Sequence, residues 1–273
     1  MLSERPEATV LAGGTNVLVQ IKEGHREASA LLSLKGLPEL HAVRSGEGIH
    51  IGAAVTFQHL AVDQAIRRDY SALATAAALI GSVQTRNMAT VGGNLCNASP
   101  SADSAPPLLV LQAQAVLTSV RGTRTIALEE FFIGPGETAL QSGELLREIF
   151  IPAAIARSGS SYVRHIPRQA MDISVVGAAA ALVLDEEGQI ADARLALGAV
   201  APTPMLATAS AAQLIGHSPS ESLWREAGRL AAQEADPVDD LRASIAYRRH
   251  LVNELTQEAL RAALSNLTNR LEG

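Results

Sequence analysis

The sequence predicts an α+β protein of two domains that meet near residues 152–161, and three observations carry that reading. Strand-like and helix-like runs come in blocks rather than in strict alternation. After Pro152 the small and polar stretch Ala156 to Ser161 reads as a linker. The 273 residues are 47% hydrophobic and 18% charged, enough apolar material for two cores and too much for general disorder.

The elements follow in order. Thr9-Val10-Leu11 reads as a short buried strand, and Val17 to Ile21 as an apolar helix turn or strand. Ile49 to Gly52 is strand-like. Thr56 is placed to N-cap a helix from Phe57 through Arg68. Ser71 to Ile80 is an Ala/Leu-rich helix stopped by Gly81. Pro106-Pro107 reads as a break before Leu108 to Leu111. Val116–Ser119 and Arg124–Ile126 flank Arg121-Gly122 as a hairpin, Gly134-Pro135-Gly136 is a tight loop, and Glu148–Ile151 closes the first domain. Beyond the linker, Val175–Leu184 and Ile190–Leu197 form a hairpin around Asp185 to Gly188. A long amphipathic helix runs from Ser244 to Leu264, with Leu241, Ile245, Leu251, Leu255 and Leu260 near one face.

Composition narrows the function. The formal net charge is −6, and the basic pairs Arg67-Arg68 and Arg248-Arg249 read as solvated faces, so nucleic acid is not an expected partner. No apolar run nears the ~20 residues of a membrane span, and the first ten residues hold no apolar signal core, which points to a cytoplasmic protein. A single cysteine excludes an intrachain disulfide or a four-cysteine cluster. The seven histidines show no ligand spacing, so no protein-held metal is expected.

Two loops carry the chemistry: Ala12-Gly13-Gly14-Thr15-Asn16 and Thr90-Val91-Gly92-Gly93-Asn94. Paired glycines permit positive φ and let a ligand approach without a Cβ in the way. The exposed N–H groups of such turns form a nest for an anion. One such loop is as readily a plain turn. Two, each ending in Asn, suggest opposite walls of one diphosphate site. Ser99 to Ser104 follows closely, where Asp103 suits a sugar hydroxyl or the loop simply caps itself. Tyr162 to Asp172 concentrates Arg164, His165 and Arg168, which could face a phosphate or flavin or form an interdomain salt-bridge patch. Cys96 reads as a small buried hydrophobe or as a thiol polarised by a cofactor. Asp63, Glu129-Glu130 and Asp239-Asp240 read as caps or solvated faces. No nucleophile elbow or catalytic acid–base set is present, so no catalytic residue is assigned. A flavin fits this profile, because the cofactor carries the reaction and the protein positions it.

The runs Val10 to Leu18, Gln84 to Leu95 and Ser101 to Ser104 resemble the FAD-binding subunit of molybdenum-containing hydroxylases. Gly134 to Gly136, Met171 to Ser174, Ala201 to Pro204 and Tyr247 to Leu251 extend the likeness over nearly the whole chain. Arg168 to Asp172 and the Cys96 loop make it most similar to bacterial xanthine dehydrogenase FAD subunits.

The resemblance implies an FAD-binding domain of vanillyl-alcohol-oxidase (PCMH) type in two subdomains over residues 1–155, lacking the usual N-terminal strand and helix. A smaller α+β domain of the CO-dehydrogenase flavoprotein type would cover 160–268. Noncovalent FAD would be held by Leu11, Ala12, Gly13, Gly14, Thr15, Asn16 and Val17 and by Thr90, Val91, Gly92, Gly93 and Asn94, with amides on the pyrophosphate. Asp103 would take a sugar or ribityl hydroxyl. Ile80 and Leu145 would pack on the flavin, and Val163 and Arg164 would approach its ring, where the family usually has an aromatic followed by Lys.

The implied partners are a molybdopterin-binding large subunit and a small subunit with two [2Fe–2S] clusters, in a heterotrimer open to dimerisation. Electrons from a purine such as xanthine would pass through FAD to NAD+ or another acceptor. The lone cysteine implies no extra iron–sulfur cluster in this chain. Three alternatives stay open at this point: a stand-alone flavin oxidoreductase, the flavin subunit of a related aldehyde, CO or N-heterocycle dehydrogenase, and a non-catalytic nucleotide-binding module.

Overall fold

The computed structural model of the chain describes residues 2, 4–5, 7–168 and 171–272, the side chain of residue 272 excepted. A two-stranded parallel sheet comes first, β1 (Thr9–Leu11) beside β2 (Leu31–Ser33), linked through α1 (Val17–Lys22). A five-stranded antiparallel sheet follows, built from β3 (Val43–Ser45), β4 (Gly48–Gly52), β5 (Gln114–Ser119), β6 (Gly122–Ala127) and, after the small hairpin β7 (Phe132–Gly134) and β8 (Glu137–Thr138), β9 (Leu145–Pro152). Its order is β3-β4-β9-β5-β6, with β9 between β4 and β5.

Between β4 and β5 the chain runs through six short helices: α2 (Phe57–Val62), α3 (Gln64–Asp69), α4 (Ser71–Leu79), α5 (Val83–Met88), α6 (Val91–Cys96) and α7 (Ala105–Val110). Thr56 caps α2 by accepting from the His59 N–H. The helix expected over Phe57–Arg68 is in fact two. Asp63 turns extended (ψ 126°) and its carboxylate accepts from the Ile66 N–H, which starts α3. Pro106-Pro107 does not break the chain but lies in the first turn of α7, where the missing N–H groups cost nothing.

The second domain is an antiparallel sheet, β10 (Ser158–His165), β11 (Val176–Leu184), β12 (Ile190–Gly198) and β13 (Met205–Leu206), backed by α8 (Thr208–Ala212), α9 (Glu221–Glu234) and α10 (Ile245–Glu272). The hairpin expected around Asp185 to Gly188 is β11–β12. The linker expected at Ala156 to Ser161 is mostly strand. Gly159 lets β10 press on α10, since a Cβ there would stand 2.3 Å from the Ala263 carbonyl oxygen. Leu251, Leu255 and Leu260 are buried on α10, whereas Leu241 lies outside the helix and is fully exposed.

Alternation along β10–β12 sends one face to each side. Val163, Ala178 and Leu195 join the core under α9 and α10, while Tyr162, Ala179 and Ala196 join the core of the first domain. The seam is pinned where Ser160 accepts through its carbonyl from Ser71 Oγ (2.6 Å) and Asn266 Nδ2 (2.9 Å), and through Oγ from the Ala72 N–H (3.2 Å). Arg248, expected on a solvated face, is buried. It donates to the carbonyls of Val175 (2.7 Å) and Ala199 (2.9 Å) and pairs with Asp240 (2.8 Å).

Candidate cofactor-binding site

The first glycine loop presses on the backbone just ahead of the second, at Met88 and Ala89. A Cβ on Gly13 would lie 1.9 Å from the Met88 carbonyl oxygen, and one on Gly93 would stand 3.7 Å from the Ala12 Cβ. Gly92 is seated against Ala53, whose carbonyl oxygen would be 2.6 Å from an added Cβ. Only Gly14 of the four takes positive φ, at 78°. Close approach, rather than left-handed turning, therefore accounts for the other three. Gly92 and Gly93 sit inside α6, which Thr90 caps through Oγ1 to the Gly93 N–H (3.1 Å).

The loops differ in what they offer a ligand. Among the described residues, the N–H groups of Ala12, Gly13, Gly14, Thr15, Asn16 and Val17 find no acceptor in the protein. Six consecutive open donors, two of them on glycines that leave room for close approach, fit the oxygens of a diphosphate. The second loop spends its amides within the protein. Val91 and Gly92 donate to the carbonyls of Val55 and Ala53, Gly93 to Thr90 Oγ1, and Asn94 to the Thr90 carbonyl. The symmetric expectation is thus corrected: the second loop contributes shape and the Asn94 side chain, whose Oδ1 is fixed by Ser104 Oγ at 2.7 Å.

Asp103 lies deep in a polar cluster that joins the domains. Its Oδ1 accepts from Tyr162 Oη (2.6 Å) and Ser174 Oγ (2.6 Å), and its Oδ2 is paired with Arg164. Arg164 also donates to the Leu79 carbonyl at 2.6 Å, so one guanidinium ties β10 to the end of α4. Burial, with the Asp103 carboxylate beside it, pushes the Tyr162 phenol well above its ordinary range and keeps it a neutral donor. Arg164 thus takes the interdomain ion-pair role left open above. Val163, its neighbour, faces the opposite side of the strand and packs on the second core, so the pair does not approach one ligand together. Gln169 and Ala170 of the neighbouring motif lie outside the described residues.

Ile80 is half-buried at the turn after α4, and Leu145 packs beside Val10 and Ala12 under the first loop. Beside Ile80 lies Arg86, which sequence reasoning missed. Its Nη1 donates to the carbonyls of Ile80 (3.1 Å) and Gly81 (3.3 Å), fixing that turn, while its buried Nε has no partner. Tyr162 and Ser174 were also missed as site members, because their partner Asp103 is 59 and 71 residues away. Burial pushes the Cys96 thiol up to about 12, so it stays protonated and packs on the first core as the small hydrophobe expected.

A run of open backbone donors, a helix cap pressed against it and a buried interdomain ion pair define a protein that positions a diphosphate-bearing organic cofactor. Comparison with known proteins specifies which. Residues 1–154 match the FAD binding domain in molybdopterin dehydrogenase, and residues 161–263 match the CO dehydrogenase flavoprotein C-terminal domain. The chain is 35% identical to the xanthine dehydrogenase FAD-binding subunit of Escherichia coli O157:H7, over 100% of this chain and 94% of that one. It is 30% identical to the nicotinate dehydrogenase FAD-subunit of Eubacterium barkeri, over 97% and 89%. The fold superposes with a TM-score of 0.92 on carbon monoxide dehydrogenase from Hydrogenophaga pseudoflava, at 30% identity over 97% of this chain and 92% of that one.

The chain belongs to the FAD-binding subunit family of the molybdenum hydroxylases, and it is an oxidoreductase subunit. No helix among the described residues is long and apolar enough to cross a membrane.

Proposed function

We propose that this chain is the electron-transfer subunit of a heterotrimeric xanthine- or purine-oxidising molybdenum hydroxylase, seated in the cytoplasm with molybdopterin and two [2Fe–2S] clusters confined to its partner subunits. The observation that carries the cofactor assignment is the run of six open N–H groups from Ala12 to Val17. They would hold the pyrophosphate of noncovalent FAD. Thr90 to Asn94 would wall the other side through Gly93 and the Asn94 side chain. Leu11 backs the loop, and Ile80 and Leu145 supply apolar contact.

Asp103 keeps room for one sugar hydroxyl on Oδ2, since a carboxylate oxygen accepts two bonds and this one holds only Arg164. Arg164 fixes the carbonyl just before Ile80 and so sets that turn. Val163 would act only by packing the strand that carries Arg164. When bound, FAD supplies the exchange of electrons between the partner's clusters and a soluble acceptor, for which we propose NAD+. The protein's own groups bind and orient; none is placed for acid–base work on substrate.

The purine class is supported by the higher identity to the xanthine dehydrogenase subunit, 35% against 30% for the nicotinate enzyme's subunit. The substrate itself would be chosen in the large subunit. The domain limits we propose are 1–155 and 160–268. Purification of the native complex tests the reading. The expected result is copurification with a large and a small subunit, with flavin, molybdenum and iron present and NAD+ reduced in the presence of xanthine. A flavin-loaded chain that turns over alone would overturn it.

A further inference from the structure

At the end of the interdomain seam away from Arg164 lies a cavity of about 80 Å³. Its walls come from both domains: Tyr70 after α3, Leu111 and Gln112 after α7, Ala153 and Ala154 after β9, and Ala181 and Arg194 on β11 and β12. Arg194 pairs across the sheet with Ala181, and both stand on the face turned to the first domain. Most of the lining is apolar, with alanines that leave the space open.

The side-chain hydrogen-bonding capacity left in this cavity lies mostly with the Arg194 guanidinium, the Gln112 amide and the Asp192 carboxylate. Tyr70 Oη gives its proton to the Pro152 carbonyl, and Ser160 is fully engaged across the seam. Asp69 is held by Arg68 and Arg270. Asp192 accepts from the Ala193 N–H through Oδ1 and keeps acceptor capacity on both oxygens. Arg194 makes no ion pair and no side-chain hydrogen bond, and its Nε is shut off from water without an acceptor, a state it shares among the described residues with Arg157, which does not line the cavity. The side-chain amide of Gln112, at the exposed rim, is likewise unpartnered. A shielded guanidinium nitrogen without an acceptor is costly, and an anionic acceptor would remove that cost.

We infer that this seam cavity is a binding site for a small aliphatic carboxylate, its oxygens on Arg194 and its short tail against Leu111, Ala153, Ala154 and Ala181. The size sets the class, being well below the roughly 150 Å³ that takes up benzene. Charge sets the head group, since planar carboxylates match the guanidinium fork. The site stands apart from the glycine loops and does not depend on the flavin assignment.

The test titrates butyrate into the full-length, flavin-loaded chain, with 1-butanol as the neutral control and the melting temperature and heat of binding as readouts. Saturable binding of butyrate and none of butanol is expected. R194M should weaken binding by about 10-fold or more, the worth of a charged hydrogen bond, with flavin content unchanged. D192N should tighten it by removing the nearby negative charge. Absence of saturation with the wild-type chain, or equal butyrate binding by R194M, overturns the proposal.

Discussion

Gly13→Ala isolates the contact of the first loop with the backbone of Met88 and Ala89, just ahead of the second. The added methyl would start 1.9 Å from the Met88 carbonyl oxygen, 2.8 Å from its carbon and 3.0 Å from Ala89 Cα, all of them backbone. No side chain can rotate away, so the segments must part by about 1.1 Å, from 1.9 to 3.0 Å, before the contact is tolerable. Overpacking of this kind costs about 1–3 kcal/mol. That strain falls on the floor beneath the six open amides, and moving them apart by an ångström loses well-aligned donors. FAD affinity should therefore drop about 10- to 100-fold, each factor of ten being about 1.4 kcal/mol.

The control is Gly36→Ala, where nothing lies within 4 Å and φ is not positive, so a change within about 0.5 kcal/mol is expected. Titration of the purified chain with FAD, followed by quenching of flavin fluorescence, gives the dissociation constants. Melting of the flavin-free chain separates loss of fold from loss of binding. G13A binding FAD within twofold of wild type would refute the reasoning.

Three further outcomes follow from the same geometry. Asp103→Asn should destabilise by about 3 kcal/mol, because it leaves Arg164 buried without its counter-ion, whereas Tyr162→Phe removes one hydrogen bond of three and should cost about 1 kcal/mol; urea unfolding of both variants compares them. Arg248→Met should cost roughly 2–3 kcal/mol in the same assay, since it strands the carbonyls of Val175 and Ala199 and frees Asp240. The third is acid sensitivity. The bidentate hydrogen bond from Arg124 holds the Glu144 carboxyl at about 2; burial alone would raise Asp240, but the N–H groups of Arg242 and Ala243 and the Arg248 guanidinium bring it to about 2. Both lie below their ordinary values, so their stabilisation is complete above about pH 4.5 and is lost as pH falls toward 2. Melting temperatures between pH 5 and 2.5 should fall more steeply for wild type than for Glu144→Gln.

Local chemistry was legible in the sequence and long-range chemistry was not. Thr56 as a cap and the β11–β12 hairpin follow from side-chain type and spacing. Pro106-Pro107 shows how one residue type serves two ends: proline stops a helix in its interior and starts one in its first turn, and only the following Leu-rich turn distinguishes the cases. The glycine pairs were read for positive φ, but Gly13, Gly92 and Gly93 answer to neighbours that approach from elsewhere in the chain. The Asp103 cluster escaped for the same reason. Its partners come from β10 and Ser174, in the second domain, and nothing near Asp103 in the chain announces them. Arg194 was passed over because an arginine in an amphipathic strand looks solvated until its surroundings are known.

Whether the amides of residues 12–17 hold the diphosphate of FAD is decided by a structure of the flavin-loaded complex. Diphosphate oxygens are expected about 2.7–3.2 Å from several of those nitrogens, with the amides of Val91 to Asn94 still bonded within the protein. A diphosphate seated elsewhere, with the first loop's N–H groups facing only water, would contradict that assignment.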